Sequence, residues 1–206
     1  ITVFYDYVFD GIYQERDNLP SDTHPGDVRL KDLNNDGIID FNDRAIIGQG
    51  GQPKFKWGVT NNFKYGNFEF SIFINSMQGW ISDFPFIFRG STQQRSLNWV
   101  DTGWWTPENK SNKASSLLYQ NKYGHGWYES RDFIRIQDVA LSYNLPKKLL
   151  EEWNISTLRF FISGKNLKTF TNWRGSDPEI GLNGGGRGHG SYPMSKTISI
   201  GLNLGF

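Results

Sequence analysis

The last ten residues constrain the fold more than any other stretch. Ile198, Ile200, Leu202, Leu204 and Phe206 fall on one side of an extended chain, and Thr197, Ser199, Gly201, Asn203 and Gly205 fall on the other, because side chains alternate along a strand. One face is large and apolar; the other is small and polar. A strand of about ten residues with these two faces suits an outer-membrane β-barrel, in which lipid lies outside and water inside. An edge strand of a soluble sandwich alternates in the same way, so the rest of the chain must decide.

Period-two alternation recurs in five further stretches. These are Ile1 to Asp10, Phe55 to Tyr65, Asn67 to Met77, Phe133 to Leu145 and Thr157 to Phe170. In the second of them Phe55, Trp57, Val59, Phe63 and Tyr65 oppose Lys56, Gly58, Thr60, Asn62 and Lys64. The connections alternate in length. Gly66-Asn67 is a tight hairpin signal, and Pro146 to Ser156 is a compact link with room for one or two helical turns. Gly11 to Lys54, Gly79 to Asp132 and Thr171 to Tyr192 are long. An up-and-down membrane barrel sorts its loops in this way, long outside and short in the periplasm. A sandwich has no reason to. The expected class is therefore all-β: antiparallel strands of a transmembrane barrel, with the C-terminus on the periplasmic side.

Composition agrees. Aromatic residues make up 16% of the chain against 37% for all hydrophobic types, and large rings favour strands and membrane-interface belts. No apolar run is long enough for a spanning helix. A net charge of +1 gives no reason to expect nucleic acid. Cysteine is absent, so no disulfide framework is expected. Six strands cannot close a membrane barrel, whose minimum is about eight. The chain also opens on Ile1 without a signal-peptide pattern. The expectation is that residues 1–206 are the C-terminal portion of a longer polypeptide.

Residues 27–48 carry a second signal. Asp32-Leu33-Asn34-Asn35-Asp36-Gly37-Ile38-Ile39-Asp40 closing on Asp43 matches the D-x-[DN]-x-[DN]-G calcium loop. The expected oxygen ligands of a structural Ca2+ are Asp32, Asn34, Asp36, the Ile38 carbonyl, Asp40 and Asp43, with Gly37 at the sharp turn. Asp43 stands where a longer Glu usually closes such a loop. No helix flanks it, so a sensor-like opening is not expected. Dockerins carry two such loops on helices, and only one is present here.

Other signals are weaker. Trp80, Trp99, Trp104, Trp105 and Trp127 in the second long connection are candidate ligand-contacting rings, with packing of the loop against itself or anchoring at the membrane interface as the alternative. The glycine-rich stretch Gly184 to Gly190 lacks the Lys-Ser/Thr of a phosphate loop. His24, His125 and His189 have no metal spacing. Asp177-Pro178-Glu179 reads as a turn, and no catalytic constellation is expected.

Taken together, these residues resemble the SusC/RagA-type TonB-linked outer-membrane proteins of Bacteroidetes. The resemblance rests on Asp32 to Asp40 running into Asp43-Arg44 and Ile47-Gly48, on Pro53-Lys54-Phe55 with Trp57-Gly58, and on Phe133 to Pro146. Gly164-Lys165-Asn166-Leu167, Asp177-Pro178-Glu179, Ser191-Tyr192-Pro193 and the closing Gly201 to Phe206 complete it. It implies a barrel of about 22 strands around an N-terminal plug, TonB engaging a part absent here, and a SusD-like surface lipoprotein as lid. It also implies oligosaccharide or peptide cargo, lipid around the barrel, and no enzymatic activity. The alternative is a calcium-stabilised soluble β-module for adhesion or carbohydrate binding; a β-sandwich glycoside hydrolase ranks last.

Overall fold

The computed structural model describes residues 2–84, 103–152, 154–175, 177–180 and 194–206. Nearly all its regular structure is antiparallel strand. Two compact units form. Among the described residues the first combines 2–52, 80–84 and 103–130, and the second combines 53–79, 131–152, 154–175, 177–180 and 194–206.

The first unit holds short strands. β1 (Thr2–Tyr7) pairs with β4 (Arg44–Gly50), β2 (Phe9–Ile12) with β3 (Val28–Leu30), and β7 (Ile81–Asp83) with β8 (Tyr128–Ser130). Its core gathers Tyr7, Ile12, Val28, Leu30, Trp105 and Tyr119. The opening stretch is thus extended as expected, but it breaks at Val8 and pairs locally with β4. At six residues β1 falls short of the 9–11 residues that a spanning strand needs.

The second unit is built on one five-stranded sheet, ordered β11-β10-β9-β6-β5. Its strands are β5 (Phe55–Tyr65), β6 (Phe68–Gln78), β9 (Phe133–Asn144), β10 (Thr157–Thr171) and β11 (Thr197–Gly205). These coincide with five of the expected strands to within a residue or two, at lengths of 11, 11, 12, 15 and 9 residues. Gly66, at φ 57, makes the tight turn between β5 and β6. The compact link carries one short helix, α1 (Lys147–Glu151).

Cross-strand pairs fix the two faces, since directly paired residues share a side. Phe63↔Phe70, Val59↔Ile74, Phe70↔Leu141, Ile72↔Val139, Ile162↔Leu141, Ile162↔Ile200 and Phe160↔Leu202 line one face. Lys64↔Glu69, Asn62↔Ser71, Ser71↔Ala140, Ser163↔Ser199 and Arg159↔Asn203 line the other. The apolar side is open to its surroundings: Phe63 is 59% exposed, Ile198 72% and Ile200 80%.

Two bulges keep the faces in phase at the ends with long connections. On β6, Phe73 pairs with Asp138 and Ile74 with Ile136, so Gln137 is an extra residue on β9. On β10 the register shifts between Lys165 and Lys168, where Asn166 takes a left-handed φ of 52. An inserted residue re-aims every side chain beyond it. Ile134 and Ile136 therefore join the side of Val139 and Leu141, while Phe133 and Arg135 join the side of Asp138 and Ala140.

Candidate functional site

The polar face of the sheet holds two ionic clusters. Near the tight turn, Glu69 is ion-paired with Lys64 at 3.4 Å and with Arg159 at 3.3 Å, and Arg159 donates to Ser142 Oγ at 2.8 Å. At the opposite end Arg135, 1% exposed, is surrounded by acceptors. Its Nη2 donates to both oxygens of Asp177 at 2.8 and 3.0 Å, its Nη1 to Glu179 at 2.6 Å and its Nε to Thr169 Oγ1 at 3.0 Å. Asp177 in turn accepts from the Glu179 amide, which fixes the Asp177-Pro178-Glu179 turn. Arg131 donates to the carbonyls of Pro178 and Ile180 and stands over the Trp173 ring at 5.0 Å. Burial lowers the Arg131 guanidinium to about 10, and Asp177 opposes that fall. Arg131 and Arg135 thus pin the start of one long connection onto the polar face. The turn was legible in the sequence; its anchor was not. The available signal was an arginine in a strand whose simple alternation would place it on the apolar side.

In the first unit, the Asp/Asn loop follows β3. Asp32 accepts from the amides of Asn35 (2.7 Å) and Gly37 (2.8 Å), Asn34 from Asp36, and Asp36 from Ile38. Gly37 has the expected positive φ, 83. Asp40 caps the short turn Phe41–Asp43 by accepting from the Asn42 amide. Asp43 is fully buried, its oxygens taking the amides of Leu33 at 2.7 Å and Asp40 at 2.8 Å. Those backbone donors hold its carboxyl below the usual aspartate range. The donors are all oxygen, as a hard cation requires. Among the described residues, no three His, Cys, Asp or Glu side chains close on one point, and the carboxylates serve the loop's own amides.

The tryptophans divide. Trp105 is a core residue whose Nε1 donates to Gln14 at 2.9 Å, and Trp80 is buried. Trp104 is half-buried. Trp127 packs against the core, 5.2 Å from the Phe9 ring. Trp99, His189, Ser191 to Pro193 and the glycine-rich stretch lie outside the described residues. Among the described residues no helix is long and apolar enough to cross a membrane, which says nothing of strands.

No family model matches the chain. It is 29% identical over 98% of its length to "TonB-dependent receptor P3" of Formosa agariphila, and 32% identical over 88% of its length to "TonB-dependent receptor P39" of the same organism. It covers 22% and 19% of those proteins, so the chain spans about a fifth of the relatives it matches. Its fold matches a chain of the RagAB peptide importer in the open-open state, with TM-score 0.72 and 20% identity over 99% of this chain and 22% of that one. The closed-closed state gives 0.69. The chain is thus similar along nearly its whole length to curated TonB-dependent receptors, and it shares its fold with a chain of the RagAB importer.

Proposed function

We propose that the five long strands are part of the wall of an outer-membrane barrel of about 22 strands that imports nutrient oligomers, glycans or peptides, driven by TonB. One observation carries this reading: a sheet of spanning-length strands with one continuous apolar face and one polar face. Leaving an Ile, Leu or Phe side chain in water forfeits about 1.5–3 kcal/mol each, and the apolar face exposes many such residues. Lipid removes that cost. Eleven residues at about 3.3 Å each, tilted by about 45°, span close to the apolar band of such barrels. The edge strands β5 and β11 each have one neighbour among the described strands, which leaves their outer edges for further wall strands.

In this reading the polar face lines the lumen, the long connections are extracellular, and the tight turn and α1 are periplasmic. A SusD-like lipoprotein covers the outer face. The RagAB importer, whose fold is shared, supports that partnership and the import reading. Residues 27–48 form an extracellular loop that takes up one structural calcium through Asp32, Asn34, Asp36, the Ile38 carbonyl, Asp40 and Asp43. Their spacing supports this assignment.

Single cysteines placed along β11 of the full-length protein test the wall. In intact outer membranes, Ile200→Cys and Leu202→Cys should resist a water-soluble maleimide while Ser199→Cys and Asn203→Cys react. Equal labelling of both sets would overturn the reading.

A further inference from the structure

A cavity of about 700 Å3 opens within the first unit, inside the range of small-molecule sites. Tyr13, Tyr119 and Tyr123 form part of its wall, and Asp22 and Asp27 another. The rings are held in place by the fold. The Tyr119 hydroxyl bonds His125 Nε2 at 2.9 Å, Tyr123 packs 5.6 Å from the Tyr7 ring, and the Tyr13 amide donates to the Asp27 carbonyl at 2.9 Å.

The two carboxylates lack a matching cation. Asp27 Oδ2 accepts from the His24 amide at 2.8 Å, and the His24 ring lies 3.7 Å away. Among the described residues neither aspartate meets a Lys or Arg, and the Asp22 side chain makes no hydrogen bond. Lys122, the one ammonium on the wall, stands 5.3 Å over the Tyr123 ring. The wall's own side chains carry two carboxylates against one ammonium, and Arg29, 5.9 Å over the Tyr13 ring, is already paired with Asp10 and Asp17. The Asp27 charge is felt locally, since burial first and that charge second push the Tyr119 phenol up. At the mouth, Ile38 and Leu118 are 65% and 89% exposed.

We propose that this cavity binds a protonated aliphatic amine borne by a peptide, either its amino terminus or a lysine side chain. The ammonium sits between Asp22 and Asp27 with tyrosine faces beside it, where ring and carboxylate both attract a cation. Its alkyl stem lies against Ile38 and Leu118. A neutral sugar would leave the carboxylate charge uncompensated, and an anion would be repelled. As a cargo subsite this rests on the import reading; as a binding site it stands independently.

The test is calorimetry on the detergent-purified full-length receptor. The probes are the tripeptide Ala-Lys-Ala, the same peptide acetylated at both amines, and a neutral trisaccharide. The free-amine peptide should bind at least about tenfold tighter than the acetylated one, a difference of about 1.4 kcal/mol. Asp22→Asn should weaken it several-fold with an unchanged melting curve, because Asp22 supports no fold contact. Tyr123→Ala should weaken it as well. Equal binding of both peptides, no binding of either, or trisaccharide binding indifferent to Asp22→Asn would overturn the proposal. Whole-cell uptake is read separately: binding without uptake would overturn the import reading and leave the site standing.

Discussion

Arg135 and Asp177, 42 residues apart in sequence, meet through one guanidinium nitrogen that donates to both carboxylate oxygens, at 2.8 and 3.0 Å. Arg135 is 1% exposed and Asp177 8%. Removing one partner of such a pair strands the other charge in a dry site, which costs about 3–5 kcal/mol. Arg135→Met should therefore lower the urea midpoint of the full-length protein by that equivalent, read as loss of the fast-migrating folded band on unboiled gels. Arg135→Lys should recover only part, because an ammonium cannot reach Asp177, Glu179 and Thr169 together. The double variant Arg135→Met with Asp177→Leu should be more stable than the single one.

The left-handed backbone at Asn166 makes a second expectation. Asn tolerates that conformation, Gly takes it freely, and a β-branched residue pays about 1–2 kcal/mol. Asn166→Gly should be close to neutral and Asn166→Val destabilising by that amount, compared by the same midpoint. Equal effects would show that the bulge between β9 and β10 does not depend on this conformation.

Asp43 predicts a pH dependence with a definite sign. Its folded carboxyl sits below the ordinary value of 3.8, so folding favours the ionised form. The resulting stability is present above the unfolded value and is lost as pH falls through the folded one. Proteolytic nicking between Asn35 and Asp40 should therefore rise steeply below about pH 4, using an acid-active protease. Asp43→Asn should show the raised nicking already at neutral pH.

Calcium uptake is open to direct measurement. Titration of the full-length receptor should show one site that Asp36→Ala removes, and calcium should slow the same nicking reaction. Identical heats from the two proteins would rule the ion out at this loop.

The long strands of the sheet were legible because period two is a local property, readable wherever one face is apolar. What escaped was non-local. β4 was hidden inside a long connection because Gly48, Gly50 and Gly51 mask its alternation, and it forms because β1 pairs with it. The opening stretch shows the converse: it is extended as its alternation suggests, but it breaks at Val8 and pairs with β4 over six residues only. Arg135 could be placed on the polar side only once the register between β6 and β9 exposed the extra residue. The aspartate loop could be read as a pattern, whereas the inward turn of Asp43 toward Leu33 and Asp40 depends on packing. The cavity draws Tyr13, Asp27 and Tyr119 from separate segments, and no spacing rule connects them.

The extra residue at Gln137 has a consequence for how this stretch can change over generations. A one-codon deletion there would exchange the surroundings of Phe133, Ile134, Arg135 and Ile136 as a block, turning the arginine outward and two isoleucines inward. A substitution at any of these positions disturbs only itself and its neighbours. Descendants of this gene can drift widely in spelling along β9, but its length is close to frozen.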